Sequence, residues 1–199
     1  MPDAIVLLKN DHKTVERLFK QYEKTGDGAK KTKRKLVDQI LDELALHATI
    51  EEKHFYPEIR RKVEDIDDIV LEGYEEHHVL EMTMAELRVL DVEAENFDAK
   101  VTVLIEMVRH HVEEEEQEMF PKVREAMGRT ELKDLGDVLE QAKATITPSE
   151  AKQHASPAAA PAVAEAAASQ PLDPYPVEAT APKAAEQKRS KWFDRSRSR

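Results

Sequence analysis

The pattern H-x3-E-E-x3-[FY]-P occurs as His47, Glu51, Glu52, Tyr56, Pro57 and returns without a gap as His111, Glu115, Glu116, Phe120, Pro121. A further H-x3-E precedes each copy, His12 with Glu16 and His77 with Glu81, at 35 and 34 residues before His47 and His111. A unit repeating at that length describes a duplicated helical hairpin. The apolar residues say where the motif points. Val37, Ile40, Leu44, His47 and Glu51 follow steps of three and four, and so do Val101, Leu104, Val108, His111 and Glu115. Side chains at that spacing share one face of a helix, and the apolar members make it the core face. His12 continues Ile5 and Leu8, and His77 continues Val70 in a step of seven. Four helices therefore each aim a histidine inward.

Helical periodicity runs through four stretches. The first starts at the N-cap Asp3 and ends at the TGDG breaker at 25–28; the second covers roughly 30–62. The third follows Asp67 and Asp68, and the fourth is capped by Asn96. Short links force neighbouring helices antiparallel, which predicts an all-α, up-down four-helix bundle over residues 1–145. A short extra C-terminal helix, about 131–145 after Gly128 and Thr130, is expected to pack on its end. Pro57 and Pro121 remove a backbone donor late in two helices and are expected to kink or end them. Residues 146–199 hold most of the prolines, alanine runs and few large apolar side chains, the composition of a disordered tail. The tail's basic end, KRSKWFDRSRSR with Trp192 and Phe193, reads as solubilising.

An inward cluster of carboxylates needs a counter-charge, because burying them unpaired costs several kcal/mol each. No Lys or Arg lies on these stripes beside the His and Glu positions, so a metal ion is the natural partner. The chain has no cysteine, which excludes disulfides, thiolate zinc sites and cysteine nucleophiles. Mixed imidazole and carboxylate donors in excess of four favour iron or manganese over a tetrahedral zinc. A net charge of -11 argues against a nucleic-acid footprint. No stretch reads as a signal peptide or membrane span, so a cytoplasmic location is expected.

With these residues in place, the chain resembles hemerythrin-type HHE cation-binding proteins over about residues 4–125. The resemblance implies that His12, His47, His77 and His111 are terminal ligands of two iron ions, oxo- or hydroxo-bridged, with manganese the lesser candidate. Glu51 and Glu115 would bridge the ions. Two departures from the marine oxygen carriers stand out. Those carriers have a second histidine at the position of Gly73, and an H-x4-D where this chain has H-x3-E at His111. One iron would then be completed by Glu16, Glu81 or water, and an open position favours chemistry with oxygen, peroxide or nitric oxide.

Function by this reading is a non-haem di-iron protein that binds or reacts with a small oxidant. Peroxidase, catalase-like or NO-reactive turnover stands beside simple oxygen or metal binding and sensing. The alternative is iron storage, delivery or iron-centre repair; a plain interaction bundle is a third reading. Away from the ligands, His54 reads as bundle-end packing, and His78 and His110 as exposed or outer-shell. Tyr22, Tyr56 and Tyr74 read as core residues with bonded hydroxyls.

Overall fold

A computed structural model gives the fold, and residues 2–146 are described. The chain runs α1 Ala4–Glu23, α2 Lys30–Ile50, α3 Tyr56–Lys62, α4 Asp67–Val89, α5 Phe97–Glu114, α6 Phe120–Ala126 and α7 Arg129–Thr145. Five-residue π segments join α2 to α3, Glu51–Phe55, and α5 to α6, Glu115–Met119. Four long rods result: α1, α2 through α3, α4, and α5 through α6. No strand occurs among the described residues. The expected tail lies outside the described residues apart from Ile146, which packs against the core.

Local sequence sets the ends of these helices. The Asp3 carboxylate accepts the Val6 amide at 2.8 Å and caps α1. Asn96 occupies the cap position of α5 without a side-chain bond, and Asp67 and Asp68 lie inside the first turn of α4. Pro57 and Pro121, expected to kink or end their helices, do not end the helical run. Each proline sits in the first turn of a resumed α-helix, where its missing amide is not needed. The π segment ahead of it absorbs the change of register: the amides of Tyr56 and Phe120 reach back to the carbonyls of Glu51 and Glu115.

The buried apolar residues form two clusters. One contains Ile5, Leu8, Ile50, Phe55, Tyr56, Phe120 and the inner face of α7; the other contains Val15, Phe19, Val37, Leu41, Met84, Phe97 and Leu104. His12, His47, Glu51, His77, His111 and Glu115 are all buried, in the sequence positions where one cluster gives way to the other. The polar layer therefore interrupts an otherwise continuous bundle core. Helix α7 lies along α1 and reaches the first π segment and α2. Close approach there depends on Gly136: a Cβ on it would stand 2.5 Å from the Pro2 carbonyl oxygen and 2.9 Å from the Ala4 nitrogen.

Candidate metal centre

The six inward residues meet as two imidazole pairs spanned by two carboxylates. His12 and His47 bring their Nε2 atoms to 3.2 Å, and His77 and His111 bring theirs to 3.1 Å. Glu51 Oε2 lies 3.2 Å from His47 Nε2 and 3.5 Å from His77 Nε2, so it touches both pairs. Glu115 Oε2 does the same from the other side, at 3.2 Å from His12 and 3.7 Å from His111. The donors form one group of His12, His47, Glu51 and Glu115, and a second of Glu51, His77 and His111.

The outward nitrogens determine what the inward ones can do. His77 Nδ1 meets Glu52 Oε1 at 2.9 Å, and His111 Nδ1 meets Glu76 Oε2 at 2.7 Å. His12 Nδ1 meets Glu116 Oε1 at 2.9 Å. An ionised carboxylate only accepts, so the proton of each neutral ring sits on Nδ1 and Nε2 keeps its lone pair. His77 and His111 thus turn lone pairs on one another at 3.1 Å, a contact that needs a proton or a cation between them. Ligands of one ion at about 2.1 Å that subtend roughly a right angle stand at this separation. Both oxygens of Glu51 and Oε2 of Glu115 are buried without a hydrogen bond, which is the second mark of a place built for a cation.

Electrostatics agree. Burial, then the neighbouring Glu115, pushes the Glu51 carboxyl well above the usual range. Burial opposes ionisation of Glu115 too, but His111, His12 and His47 outweigh it and its pKa is lowered. Burial lowers His47 to about 4, so that ring is neutral and available as a ligand at pH 7. In the protein alone burial thus favours the neutral form of Glu51, and a bound cation would favour its charged form instead.

Two of the proposed ligand positions stay apart from this layer. Glu16 is held by Arg109, with bonds of 3.0 and 3.1 Å, and by Lys20 at 3.3 Å. Glu81 is half-buried and belongs to neither donor group. Of the three completions expected for the second group, Glu16, Glu81 or water, neither glutamate joins its donors in this structure: both are one turn beyond the histidine, at the edge of the inward stripe. Gly73 also has an explanation. A Cβ there would stand 3.0 Å from the Tyr56 hydroxyl, which fills the space and donates to Glu115 Oε1 at 3.0 Å. That bond occupies the Glu115 oxygen not already turned to the imidazoles. Tyr22 and Tyr74 also have bonded hydroxyls, on Asp98 and on the Glu52 carbonyl.

Comparison with known proteins decides the family. The sequence profile described as the hemerythrin HHE cation binding domain matches residues 3–123. The chain belongs to the hemerythrin HHE family. In fold it is similar to the crystal structure of a hemerythrin HHE cation binding domain-containing protein from Mycobacterium kansasii, with a TM-score of 0.62 at 21% identity, covering 73% of this chain and 90% of that one. A Nostoc sp. protein named as a DNA nickase is 25% identical over 140 residues, 70% of this chain and 39% of the relative. This HHE chain thus spans about two fifths of that relative's length.

Sequence reasoning missed the acids that stand behind the histidines: Glu52, Glu76 and Glu116, which bond their Nδ1 atoms, and Asp11, at 3.6 Å from His47 Nδ1. A signal for them was present. Both halves carry an acidic residue immediately before the first histidine, Asp11 and Glu76, and a second glutamate after the inward one, Glu52 and Glu116. A cavity of about 400 Å³ borders the imidazoles, walled by Val15, Phe19, Leu44, Leu80, Met84 and Val108, with Glu16 and Arg109 also on its lining. No described helix is long and apolar enough to cross a membrane.

Proposed function

We propose that this HHE protein is a non-haem di-iron protein that binds or reacts with a small oxidant, O2, peroxide or NO. His12 and His47 would hold one iron and His77 and His111 the other, with Glu51 and Glu115 bridging them. The observation that carries this reading is that each of the two glutamates touches both imidazole pairs. A single ion would not call for two pairs and two spanning carboxylates. An iron pair supplies electron exchange with small oxidants that side chains alone do not.

The chain's own residues do the rest. Glu52, Glu76 and Glu116 fix the Nδ1–H tautomers and so aim the Nε2 lone pairs. Tyr56, stacked at 5.6 Å on His77, keeps one Glu115 oxygen bonded and presents the only hydroxyl within reach of that carboxylate among the bonds described. The apolar part of the cavity wall borders the imidazoles and leaves room for a diatomic or triatomic ligand. The nicking activity named for the Nostoc relative is not carried over to this chain, since a net charge of -11 argues against a nucleic-acid footprint and the chain spans only 39% of that relative.

The test is reconstitution with ferrous iron without oxygen, a metal count, and stopped-flow mixing with O2, H2O2 and NO. Two irons per chain and an absorption change with at least one oxidant are expected, both lost in His47→Ala and His111→Ala. Two irons with no response to any of the three would overturn the oxidant reading and leave storage or delivery. Absence of bound iron would overturn both.

A further inference from the structure

The two halves of the bundle treat the outer side of the centre differently. In the first half, Asp11 stands behind His47; in the second, Glu76 stands behind His111. Both acids precede the first histidine of their own half. Asp11 is matched with a cation, the Lys143 ammonium of α7, at 2.5 Å. That match draws it off the imidazole: Asp11 Oδ2 is 3.6 Å from His47 Nδ1, and both atoms lack a hydrogen bond. The residues before His47 and before Glu51 are Leu46 and Ile50, and both pack into the apolar cluster shared with α7.

Among the described residues of the second half, no lysine or arginine pairs with Glu76 and no helix equivalent to α7 occurs. The residues before His111 and before Glu115 are instead His110 and Glu114. One turn apart on α5, they stand beside Glu76 of α4: His110 Nε2 is 3.6 Å from Glu114 Oε1 and 3.9 Å from Glu76 Oε1. These three side chains can bring one donor atom each to within 4.8 Å of one another. The position where one half carries an ammonium is, in the other, ringed by an imidazole and two carboxylates.

We propose that Glu76, His110 and Glu114 form an outer site for a divalent first-row cation, occupying the place that Lys143 takes in the other half. One imidazole with two carboxylates suits Fe2+, Mn2+ or Zn2+. The site is open to solvent, with the His110 side chain 53% exposed, so the cation exchanges from the surface. It is also wired to the centre. Glu76 turns Oε1 to the outer group and Oε2 to His111 Nδ1 at 2.7 Å, so a cation on the first oxygen weakens the pull of the second on a core imidazole. The outer site stands without the di-iron reading, since Glu76, His110 and Glu114 form a donor group that shares no residue with the two core groups.

The experiment uses the full chain after iron loading, with Mn2+ as the probe. The hexaaqua Mn2+ signal in electron paramagnetic resonance is followed during titration, and the iron content is measured before and after. Wild type is expected to take up one Mn2+ beyond its core metal. The double variant His110→Ala with Glu114→Gln is expected to bind that ion at least tenfold more weakly, with unchanged iron content and absorption spectrum. Glu118→Gln, which removes a charge from the same acidic run, is expected to bind like wild type. Equal Mn2+ binding by wild type and the double variant, or equal weakening by Glu118→Gln, would mean general attraction to an acidic surface and overturn the proposal. So would the absence of any Mn2+ uptake. A chain that loads no iron but still loses one Mn2+ on the double substitution would keep the outer site and overturn only the core reading.

Discussion

Position 73 and Tyr56 are one choice made twice. The Tyr56 ring is fully buried, and its hydroxyl lies where a side chain at 73 would begin. Gly73→His is therefore expected to destabilise the protein by about 1–3 kcal/mol through overpacking, and pairing it with Tyr56→Ala to recover part of the loss, read by urea unfolding. Tyr56→Phe removes only the donor to Glu115 Oε1, a buried acceptor then left bare. A loss of about 1–3 kcal/mol is expected, with the bound metal count unchanged. Glu81 carries a pH effect. Burial, with Glu52 adding to it, lifts its pKa to about 7. The unfolded carboxyl loses its proton near its ordinary value of about 4.3 while the folded one keeps it, so stability falls as pH rises between the two. The melting temperature of Glu81→Gln should match wild type near pH 4 and exceed it progressively toward pH 7.5. Solvent screening of this half-exposed group holds the effect to about 1 kcal/mol or less. A gap that narrows with rising pH would contradict the assignment.

Among the elements, the π segments and α7 matter most. Each π segment starts at an inward glutamate, Glu51 or Glu115, and ends just ahead of the aromatic residue and proline. The shift in register lets adjacent glutamates serve different ends: Glu51 turns to both imidazole pairs while Glu52 braces His77. Spacing alone hid this, because steps of three and four describe α-helical register and carry no mark of a π segment starting at Glu51 or Glu115. Helix α7 was legible as a helix, but its seat was not. Its anchor is Gly136 against the backbone of residues 2–4, a contact of residues far apart in sequence. Gly136→Ala forces that backbone apart and is expected to cost about 1–3 kcal/mol in urea unfolding, despite the better helix propensity of alanine. A stabilised variant would show that α7 does not sit on α1 as described.

For the whole molecule, the metal layer divides the core into two apolar clusters, and its charge must be balanced for the halves to close. Binding that favours only the folded state stabilises it by about 2.7 kcal/mol at a hundredfold excess over Kd. Calorimetry of metal-loaded protein against protein dialysed with chelator is thus expected to show a melting temperature roughly 8 °C lower for the stripped form. Equal temperatures would mean that protons balance the carboxylates as well as metal does, and would remove the physical reason for a cation there.

The inward direction of His12, His47, Glu51, His77, His111 and Glu115 was written in the chain itself, because a helix converts steps of three, four and seven into one face whatever it packs against. The bundle followed from the same periodicity and from short links. Which atoms touch was decided only in three dimensions. His12 meets Glu116 across 104 residues, and Tyr56 meets Glu115 across 59. Glu16 carried the same spacing signal as Glu51, yet Arg109 of another helix claims it. Periodicity reports which face a side chain occupies; the partner it finds there depends on how neighbouring helices are set beside one another, and no single helix encodes that.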